Sequence, residues 1–483
     1  MVKREEFQRV DAYVWELPRN FDSRMLVPAR IYGSEALFRA AFDDRSIEQL
    51  VNVAMLPGIV KYAMAMPDMH QGYGFPIGGV AAFDADTGIV SPGGVGYDIN
   101  CGVRMLASQI EEEEIRPHLN DLATILYRNC PSGVGEGGAV RLSYGELDRV
   151  LEEGARWAKA QGYATEDDLE RTESGGRMPR ANPSAVPDRA KQRGLPQLGS
   201  LGSGNHFLEI DIVDAIYEAE AAAAFGLREG QVVVQIHCGS RGLGHEVCSQ
   251  YLRMLQDAPR RYGFEIPDRE LVSAPYDSVE GRDYVAAMAA AANYAFANRQ
   301  VLAHFVRLSF EEVLAGKVSN WHLQQVYDIT HNMAKVEDHV VDGKRRTLIV
   351  HRKGATRSFP AGHPELTEVY RSTGQPVLVP GSMGTASYVL VGTESSMALT
   401  FGSSCHGAGR TMSRHAATRR ARGEQVRSEL HEQGITVRAQ SMRGLAEEAP
   451  FAYKDVSEVV DSVAGVGIAR KVARVHPVAV IKG

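Results

Sequence analysis

The chain has 483 residues, of which 44% are hydrophobic and 23% are charged, a composition typical of globular proteins with a large apolar core. Its formal net charge of −7 excludes a globally basic nucleic-acid-binding protein but is compatible with a local basic groove. Five cysteines without a CxxC spacing argue against a disulfide framework and fit free thiols in a reducing compartment.

No feature of the sequence indicates a membrane protein. The first ten residues, MVKREEFQRV, are charged and contain no apolar core, so no secretory signal is expected. The longest weakly polar run, which begins at Ala286, is too short and too rich in alanine to span a bilayer. The sequence therefore predicts a cytoplasmic protein without a membrane partner.

Apolar periodicity predicts several helices. Leucine and isoleucine form an amphipathic stripe over 119–126. A capping-box pattern begins a helix predicted over 143–162, which ends at a glycine. The alanine-rich segment 283–306 predicts a long helix that packs closely, and the arginine-rich segment 414–427 predicts a basic helix.

Strands are predicted between these helices. The β-branched runs GQVVVQIHC at 230–238, RTLIVHR at 346–352 and QPVLVPG at 375–381 are typical of strands. The polar segment 166–194, rich in arginine, proline and serine, predicts a long loop. Because strands and helices are interspersed and no long linker separates them, the sequence predicts a single α+β domain over residues 1–483.

Common nucleotide motifs do not explain the glycine clusters. The sequence contains neither a GxxxxGK[ST] P-loop nor an HExxH zinc motif. Gly133, Gly135 and Gly138 match GxGxxG, but they follow a helical stripe instead of a strand. We therefore interpret this match as accidental.

Possible metal ligands lie at the edges of glycine-rich turns. Asp98 and Cys101 share one loop, and His237 ends an apolar run beside a turn. Buried core roles are the ordinary alternative for each histidine and for the thiol. A mixed set of sulfur, nitrogen and oxygen ligands fits zinc, manganese, iron or cobalt better than magnesium or calcium. The other candidates are Asn205, His206, Glu209, His331 and Asn332.

The stretch FGSSCHGAGR, residues 401–410, places His406 among small residues. Its imidazole is bulky and nucleophilic, whereas no side chain within two residues on its C-terminal side is larger than a methyl group. Local concentrations of arginine on an acidic chain also suit a groove that binds nucleic-acid phosphates. The arginines considered for this role are Arg241, Arg352, Arg410 and Arg414.

Seven motifs occur in an order that resembles the RtcB family of RNA-splicing ligases. They are DINCGVR, GSGNHFLE, HCGSRGLGH, THN, VHRKGATR, PGSMG and SSCHGAGR. The resemblance extends from the N-terminal region to the final VAVIKG. It implies one large catalytic domain with mixed or antiparallel β-sheets flanked by helices.

The resemblance implies a GTP-dependent and manganese-dependent ligase. Such an enzyme joins RNA 2′,3′-cyclic-phosphate or 3′-phosphate ends to 5′-hydroxyl ends, through a guanylylated histidine and an RNA(3′)pp(5′)G intermediate. Its expected cofactors are GTP and two manganese ions, and its expected partners are tRNA halves or other cleaved RNA. Whether it also requires an archease-type activating protein stays open. tRNA splicing and RNA repair both stay open as its biological role.

The resemblance also implies roles for individual residues. Asp98 and His206 would hold one metal, His237 and His331 the other, and the Cys101 thiolate would contact both. His406 would be the nucleophile that receives the guanylate. The expected nucleotide contacts are Asn205, His206, Phe207, Leu208, Glu209, His331, Asn332, Pro380, Gly381, Ser382, Met383, Ser387, His406, Gly407, Ala408, Gly409 and Lys482.

Two other functions fit parts of the sequence. A metal-dependent phosphodiesterase or phosphatase acting on RNA ends would use the metal ligands and arginines, but would leave His406 and Lys482 without a role. A non-catalytic RNA-binding protein would not need Cys101. Retention of α-labelled GTP on the protein distinguishes the first alternative, and metal analysis distinguishes the second.

Overall fold

The computed structural model describes residues 2–483. Its strands are β1 (Gln8–Asp11), β2 (Val14–Leu17), β3 (Ala29–Tyr32), β4 (Ile59–His70), β5 (Ile77–Asp84), β6 (Ile89–Val90), β7 (Gly102–Glu111), β8 (Phe207–Ile216), β9 (Gln231–Cys238), β10 (Ala274–Pro275), β11 (Gln324–Thr330), β12 (Asn332–Val341), β13 (Lys344–Lys353), β14 (Ala355–Arg357), β15 (Pro376–Val379), β16 (Ser387–Gly392), β17 (Ser403–Cys405), β18 (Thr436–Ala439) and β19 (Ala469–Lys482).

Helices occur throughout the same residues. They are α1 (Glu35–Ala40), α2 (Ser46–Val53), α3 (Glu112–Ile115), α4 (Leu119–Asn129), α5 (Tyr144–Glu153), α6 (Ala155–Ala160), α7 (Glu166–Glu170), α8 (Asp188–Gly194), α9 (Ala219–Phe225), α10 (Arg241–Met254), α11 (Ala258–Tyr262), α12 (Val279–Leu314), α13 (Glu368–Arg371), α14 (Glu394–Thr400), α15 (Arg414–Arg420), α16 (Gly423–Glu432), α17 (Met442–Glu447) and α18 (Val456–Val466).

Two large sheets organise these elements and confirm the predicted α+β class. The first has the order β1-β2-β3-β4-β5-β13-β12 and is antiparallel except between β3 and β4. The second has the order β11-β7-β9-β8-β19-β16-β15, and β18 adds to β19 in parallel. A short pair, β14 with β17, leads directly to His406. Both sheets are therefore mainly antiparallel with one parallel pair each, which agrees with the expected mixed or antiparallel sheets.

Strand β9 lies inside the second sheet and is buried on both faces. Its side chains alternate between two core clusters, because successive residues of a strand point to opposite faces. Val233 packs into one cluster, whereas Val232 and Val234 pack into the cluster that also contains Leu302 of helix α12. The apolar run predicted as a strand is thus covered on both sides.

Helix α12 confirms and extends the prediction of a long alanine-rich helix. Its first turn is capped by Ser278, whose side chain accepts a hydrogen bond from the Gly281 amide. Small side chains over 287–297 are buried against neighbouring helices. Among residues 2–483, neither this helix nor any other combines the length and hydropathy needed to cross a membrane.

Two predicted helices are each divided into two. The capping box at Ser143 and Glu146 is present, but the helix predicted over 143–162 divides at Gly154. Gly154 has φ 60°, and a Cβ there would lie 2.3 Å from the carbonyl oxygen of Gly176. The basic segment 414–427 likewise divides at the extended residue Ala421, so that α15 and α16 both contact α17.

The segment 166–194 is not the continuous loop predicted from its polarity. It contains helices α7 and α8, and Thr165 caps α7 together with Asp168. Asp168 is 1% exposed and accepts two hydrogen bonds from Arg307 of α12, at 3.0 and 2.6 Å. A polar residue therefore anchors this segment to the core through an ion pair, which composition alone did not reveal.

Candidate active site

Four neighbouring strands bring the predicted metal ligands to one edge of the second sheet. Cys101 precedes β7, His206 precedes β8, His237 lies near the end of β9, and His331 follows β11. The antiparallel register pairs Gly102 with Cys238 and Thr330, and pairs His237 with Phe207. Strand starts and strand ends alternate across an antiparallel sheet, so four distant segments meet at this edge.

The ligand atoms are close together. The Cys101 sulfur lies 3.5 Å from Nε2 of His206 and 3.2 Å from Nε2 of His237. An Asp98 carboxylate oxygen lies 2.8 Å from the same His206 nitrogen. The His331 ring centroid is 5.2 Å from that of His237. The five predicted ligands thus form one cluster.

Three ring nitrogens of this cluster have no hydrogen-bond partner in the protein. His331 is 1% exposed, and neither of its ring nitrogens has a hydrogen-bond partner in the protein. Nδ1 of His237 is also buried without a partner. Buried polar atoms are normally hydrogen-bonded because leaving them unpaired costs free energy. This mixed set of sulfur, nitrogen and oxygen atoms fits a borderline-soft divalent cation.

Protonation in the cluster follows from burial and close contact. Burial lowers the pKa of His237 and His331, and neighbouring histidines add to this effect, so both imidazoles stay neutral and able to donate an electron pair. Burial raises the pKa of the Cys101 thiol to about 11 in the metal-free protein. A bound divalent cation would oppose this effect and favour the thiolate.

A buried arginine that sequence analysis missed holds two of these segments together. Arg299 of α12 donates to the backbone oxygens of Asn100 at 2.7 Å and Cys238 at 2.9 Å. Its other nitrogens donate to the Asp328 carboxylate at 2.9 and 2.8 Å, and both side chains are fully buried. Asn100 precedes Cys101 and Cys238 follows His237, so Arg299 ties both ligands to helix α12.

His406 follows strand β17 and lies beside the cluster, with its ring centroid 5.1 Å from that of His331. One oxygen of Asp68 accepts hydrogen bonds from Nδ1 of His406 at 2.6 Å and from its backbone amide at 3.0 Å. Although burial opposes ionisation, His406 holds the pKa of Asp68 below its usual value. A proton on Nδ1 leaves Nε2 as the nucleophilic nitrogen.

Asp68 itself was not predicted. It lies in β4 within MAMPDMH, where no spacing or glycine turn marks it as functional. Gly409, with φ 77°, allows the two segments to approach, since a Cβ there would lie 2.2 Å from the Asp68 carbonyl oxygen. The only sequence signal is an acidic residue within an otherwise apolar run. One sequence does not show whether such an acid is buried or faces solvent.

A cavity of about 640 Å³ opens beside His406. It is also lined by Arg410, Arg414 and Glu448, as well as by His70 and Gln71 at the end of β4. The predicted nucleotide contacts that line it are Asn205, Phe207, Pro380, Gly381, Ser382, Met383, His406, Gly407, Ala408, Gly409 and Lys482.

Other predicted nucleotide contacts occupy different positions. The Leu208 side chain packs into the core, because alternate residues of β8 face away from the cavity. Ser387 accepts a hydrogen bond from the Gly381 amide and so supports the cavity wall. Asn332 donates to the backbone oxygen of Asp98 at 3.0 Å. His206 and His331 belong to the cluster.

Lys482 and Glu209 lie near each other on paired strands. Nζ of Lys482 donates to the backbone oxygens of Gly204 at 2.7 Å and His206 at 3.0 Å. Burial lowers the pKa of Lys482 to about 8. Burial and the neighbouring Asp211 raise the pKa of Glu209, which is 2% exposed. Lys482 therefore lines the cavity as a strongly desolvated donor, and Glu209 is a buried acid on the paired strand.

The four arginines predicted to contact RNA differ in accessibility. Arg352 is buried and binds both oxygens of Glu337, at 2.6 and 2.8 Å, so its assignment to RNA was wrong. Arg410 and Arg414 line the cavity, although each also pairs with Glu448. Nη1 of Arg241 lies 3.3 Å from Nδ1 of His206, beside the cluster of predicted metal ligands.

Comparison with known proteins places this arrangement in context. The family model described as tRNA-splicing ligase RtcB matches residues 49–483. A tRNA-splicing ligase RtcB of Thermococcus kodakarensis is 59% identical over 476 residues, which cover 99% of this chain and 98% of that protein. The protein of the same name from Archaeoglobus fulgidus is 52% identical, with the same coverage of both chains.

Proposed function

The chain belongs to the RtcB family of tRNA-splicing ligases, and we propose that it joins RNA 2′,3′-cyclic-phosphate or 3′-phosphate ends to 5′-hydroxyl ends by using GTP. The observation that carries this proposal is His406, oriented by Asp68, between a cavity and a cluster of potential metal ligands. Detection of guanylate on His406 after incubation with GTP and manganese is the direct test.

Nε2 of His406 would attack the α-phosphorus of GTP. A phosphorus–nitrogen bond forms while the bond to the leaving pyrophosphate breaks. The Asp68 carboxylate would orient the ring and stabilise the positive charge that the ring acquires. The backbone amide of Gly407 already donates to Asp68 at 3.3 Å, so this turn is held in place before GTP binds.

Transfer to RNA completes the reaction. An oxygen of the RNA 3′-phosphate would attack the guanylate phosphorus, which breaks the bond to His406 and forms the RNA(3′)pp(5′)G end. The 5′-hydroxyl of the second strand would then attack the RNA phosphorus and release GMP. Water would first open a 2′,3′-cyclic phosphate to the 3′-phosphate, so both kinds of end enter the same sequence.

Guanine selectivity would come from the inner end of the cavity. Lys482 would donate to guanine O6, while Glu209 would accept hydrogen bonds from the guanine edge. Adenine carries an amino group where guanine has O6, so it presents the opposite pattern to Lys482. Pro380, Gly381, Ser382 and Met383 would form the opposite wall.

Two manganese ions are proposed at the cluster. Asp98 and His206 would hold one ion, His237 and His331 the other, and Cys101 both. When bound, the ions would neutralise phosphate charge and act as Lewis acids. The buried nitrogens without partners and the close Asp98, Cys101 and His206 ligand atoms support this assignment.

Replacement of Arg299 by methionine should weaken manganese binding by about 10- to 100-fold, the usual effect of removing a group that orients metal ligands. The physical reason is loss of the hydrogen bonds to the backbone of Asn100 and Cys238. Electron paramagnetic resonance of free manganese measures the change, and a melting curve measures stability separately.

Arg307→Met is the matched control for this variant. It removes another arginine of α12 from a buried carboxylate, that of Asp168, but Arg307 touches no metal-ligand segment. We expect Arg307→Met to lower the melting temperature while leaving manganese affinity intact. Equal loss of affinity in both variants would assign Arg299 a purely structural role.

Replacement of Arg414 by glutamine should slow RNA joining more than guanylate uptake. Arg414 lines the cavity and has a side chain that is 49% exposed, so it is available to an RNA phosphate. The slope of log affinity against log salt should fall by roughly one. Arg443→Gln, a change at another exposed arginine, should leave the slope unchanged. An unaltered slope in Arg414→Gln would count against a phosphate contact.

The remaining assignments extend the same proposal. We propose that residues 1–483 act as one ligase domain, since the site uses segments from β4 to β19. tRNA halves are the proposed RNA because the relatives are tRNA-splicing ligases, although repair of other cleaved RNA uses the same chemistry. The family resemblance also underlies the expectation of an archease-type activating protein. Five free, buried cysteines support a cytoplasmic location.

A further inference from the structure

Three aromatic rings form a ladder beside the cluster of proposed metal ligands: Tyr73, Tyr97 and His245. The Tyr97 centroid lies 5.6 Å from Tyr73 in an edge-on arrangement and 4.9 Å from His245 in a stacked arrangement, with an interplanar angle of 25°. Tyr97 directly precedes Asp98 in the chain. The middle ring of this aromatic ladder therefore lies in the loop that carries a proposed metal ligand.

One end of the aromatic ladder is open to a ligand. Tyr73 and Tyr97 are half-buried and pack on a small apolar cluster that includes Cys248 and Leu252. His245, on helix α10, is exposed and stacks on no other aromatic ring among residues 2–483. Packing explains the two tyrosines, but it does not explain why the stack continues with an exposed imidazole.

Positive charge lies next to this open end. Nε of Arg193 lies 3.0 Å from where a Cβ would stand on Gly242, which is one helical turn before His245. Arg189, Arg193 and Arg253 all approach the single carboxylate of Glu246, which leaves an excess of positive charge. Burial and the nearby Arg193 lower the pKa of His245, so the ring is neutral near pH 7.

We propose that the aromatic ladder is a binding subsite for an unpaired base of the RNA substrate. The base would stack on the outer face of His245, and Arg193 with Arg189 would bind the flanking phosphates. Stacking on aromatic side chains beside positively charged residues accepts any base, because every base has a π-face. This suits a ligase whose RNA ends differ in sequence. The proposal rests on the proposed RNA ligase function, because it identifies where that substrate enters.

Base stacking gives the proposal a measurable consequence. Each base stacked on an aromatic ring contributes free energy that corresponds to about tenfold or more in affinity. An RNA that lacks bases next to the break should therefore bind the natural protein about tenfold more weakly. The same loss should follow from His245→Ala, whereas His245→Phe keeps an aromatic face and should retain most of the affinity.

The experiment combines these protein variants with two kinds of RNA. Short 3′-phosphate and 5′-hydroxyl RNAs are prepared with normal bases, or with abasic nucleotides at the positions next to the break, and their affinities are measured by fluorescence anisotropy. His322→Ala is the matched control, since His322 is another exposed histidine packed against an aromatic ring, that of Trp321, at the far end of α12.

The expected result is that His245→Ala weakens binding of at least one normal RNA and abolishes the difference between normal and abasic RNA, while His322→Ala behaves as the natural protein. Unchanged affinity in His245→Ala, or an undiminished abasic effect, would overturn the proposal. Guanylate uptake from GTP without RNA is measured in parallel. Its absence from the natural protein would refute the ligase function, whereas the binding comparison tests the aromatic ladder by itself.

Discussion

His406→Ala should take up no guanylate from GTP and manganese, whereas the natural protein should gain one GMP per chain by mass. The expected difference is complete because the side chain supplies the bonding nitrogen itself. The adduct should be labile in acid and comparatively stable in base, as a phosphoramidate is. Digestion and mass spectrometry should place the added mass on the peptide that contains His406.

Two further variants sharpen this test. Asp68→Asn keeps the volume but loses the charge that orients His406, so uptake should fall by about 100- to 10,000-fold, in line with the range for loss of such a carboxylate. His431→Ala, at an exposed histidine of α16, should retain full uptake. His406→Ala should also still seal RNA that already carries a 3′-pp-5′-guanosine end, because that step needs no new nucleophile.

A guanylate found on lysine, or undiminished in His406→Ala, would refute the proposed mechanism. Either finding would favour a nuclease or phosphatase that uses the same metal cluster. The cavity and cluster alone do not distinguish those activities, since both would serve phosphate chemistry. The covalent adduct does, because hydrolysis of an RNA end requires no guanylate on protein.

Cys101→Ala should lose more than about 100-fold in guanylate uptake and most of its manganese. Groups that merely orient metal ligands typically contribute 10- to 100-fold, so removal of a ligand shared by two ions should cost more. Cys101→Ser should not restore activity, because a hydroxyl is neutral where a thiolate is required. Metal analysis and uptake of labelled GTP measure the two effects.

Cys130→Ala is the matched control for the thiol. Cys130 directly follows α4 and is also fully buried in the core. Burial raises the pKa of its thiol to about 12. Its replacement should lower stability slightly without changing metal content. Full manganese binding by Cys101→Ala would remove Cys101 from the site, even if the variant were less stable.

Local sequence signals predicted elements better than they predicted contacts between elements. The capping box at Ser143, the strand that ends near His237 and the helix centred on 287–297 depend on neighbouring residues, and all are present. The division at Gly154 depends instead on the approach of Gly176, which no local pattern encodes.

The candidate site shows the same difference between local sequence signals and contacts between elements. Cys101, His206, His237 and His331 lie in recognisable motifs, and the strand register brings them together. Arg352 occupies an equally recognisable motif but is neutralised by Glu337 in the adjacent strand. A charged residue in a motif therefore does not by itself predict contact with RNA, because the fold can pair that charge with a buried partner.

Asp68 and Arg299 could not be identified because each acts on a distant segment. An arginine within an alanine-rich helix is ordinarily exposed, yet Arg299 is fully buried by its bonds to Asp328 and two backbone oxygens. Asp68 lies in the first sheet, whereas His406 follows the separate β14–β17 pair, so their contact joins segments that are distant in the sequence. Both roles are properties of tertiary contact.

The separation of 338 residues between Asp68 and His406 has a consequence for biosynthesis. Closing so long a loop is entropically costly and makes for slow folding, since the contact forms only after much intervening structure. During synthesis, all five cluster ligands emerge from the ribosome before His406 does, because the last of them is His331. A nascent chain can therefore contain all of the proposed metal ligands while it still lacks the residue that would be guanylylated.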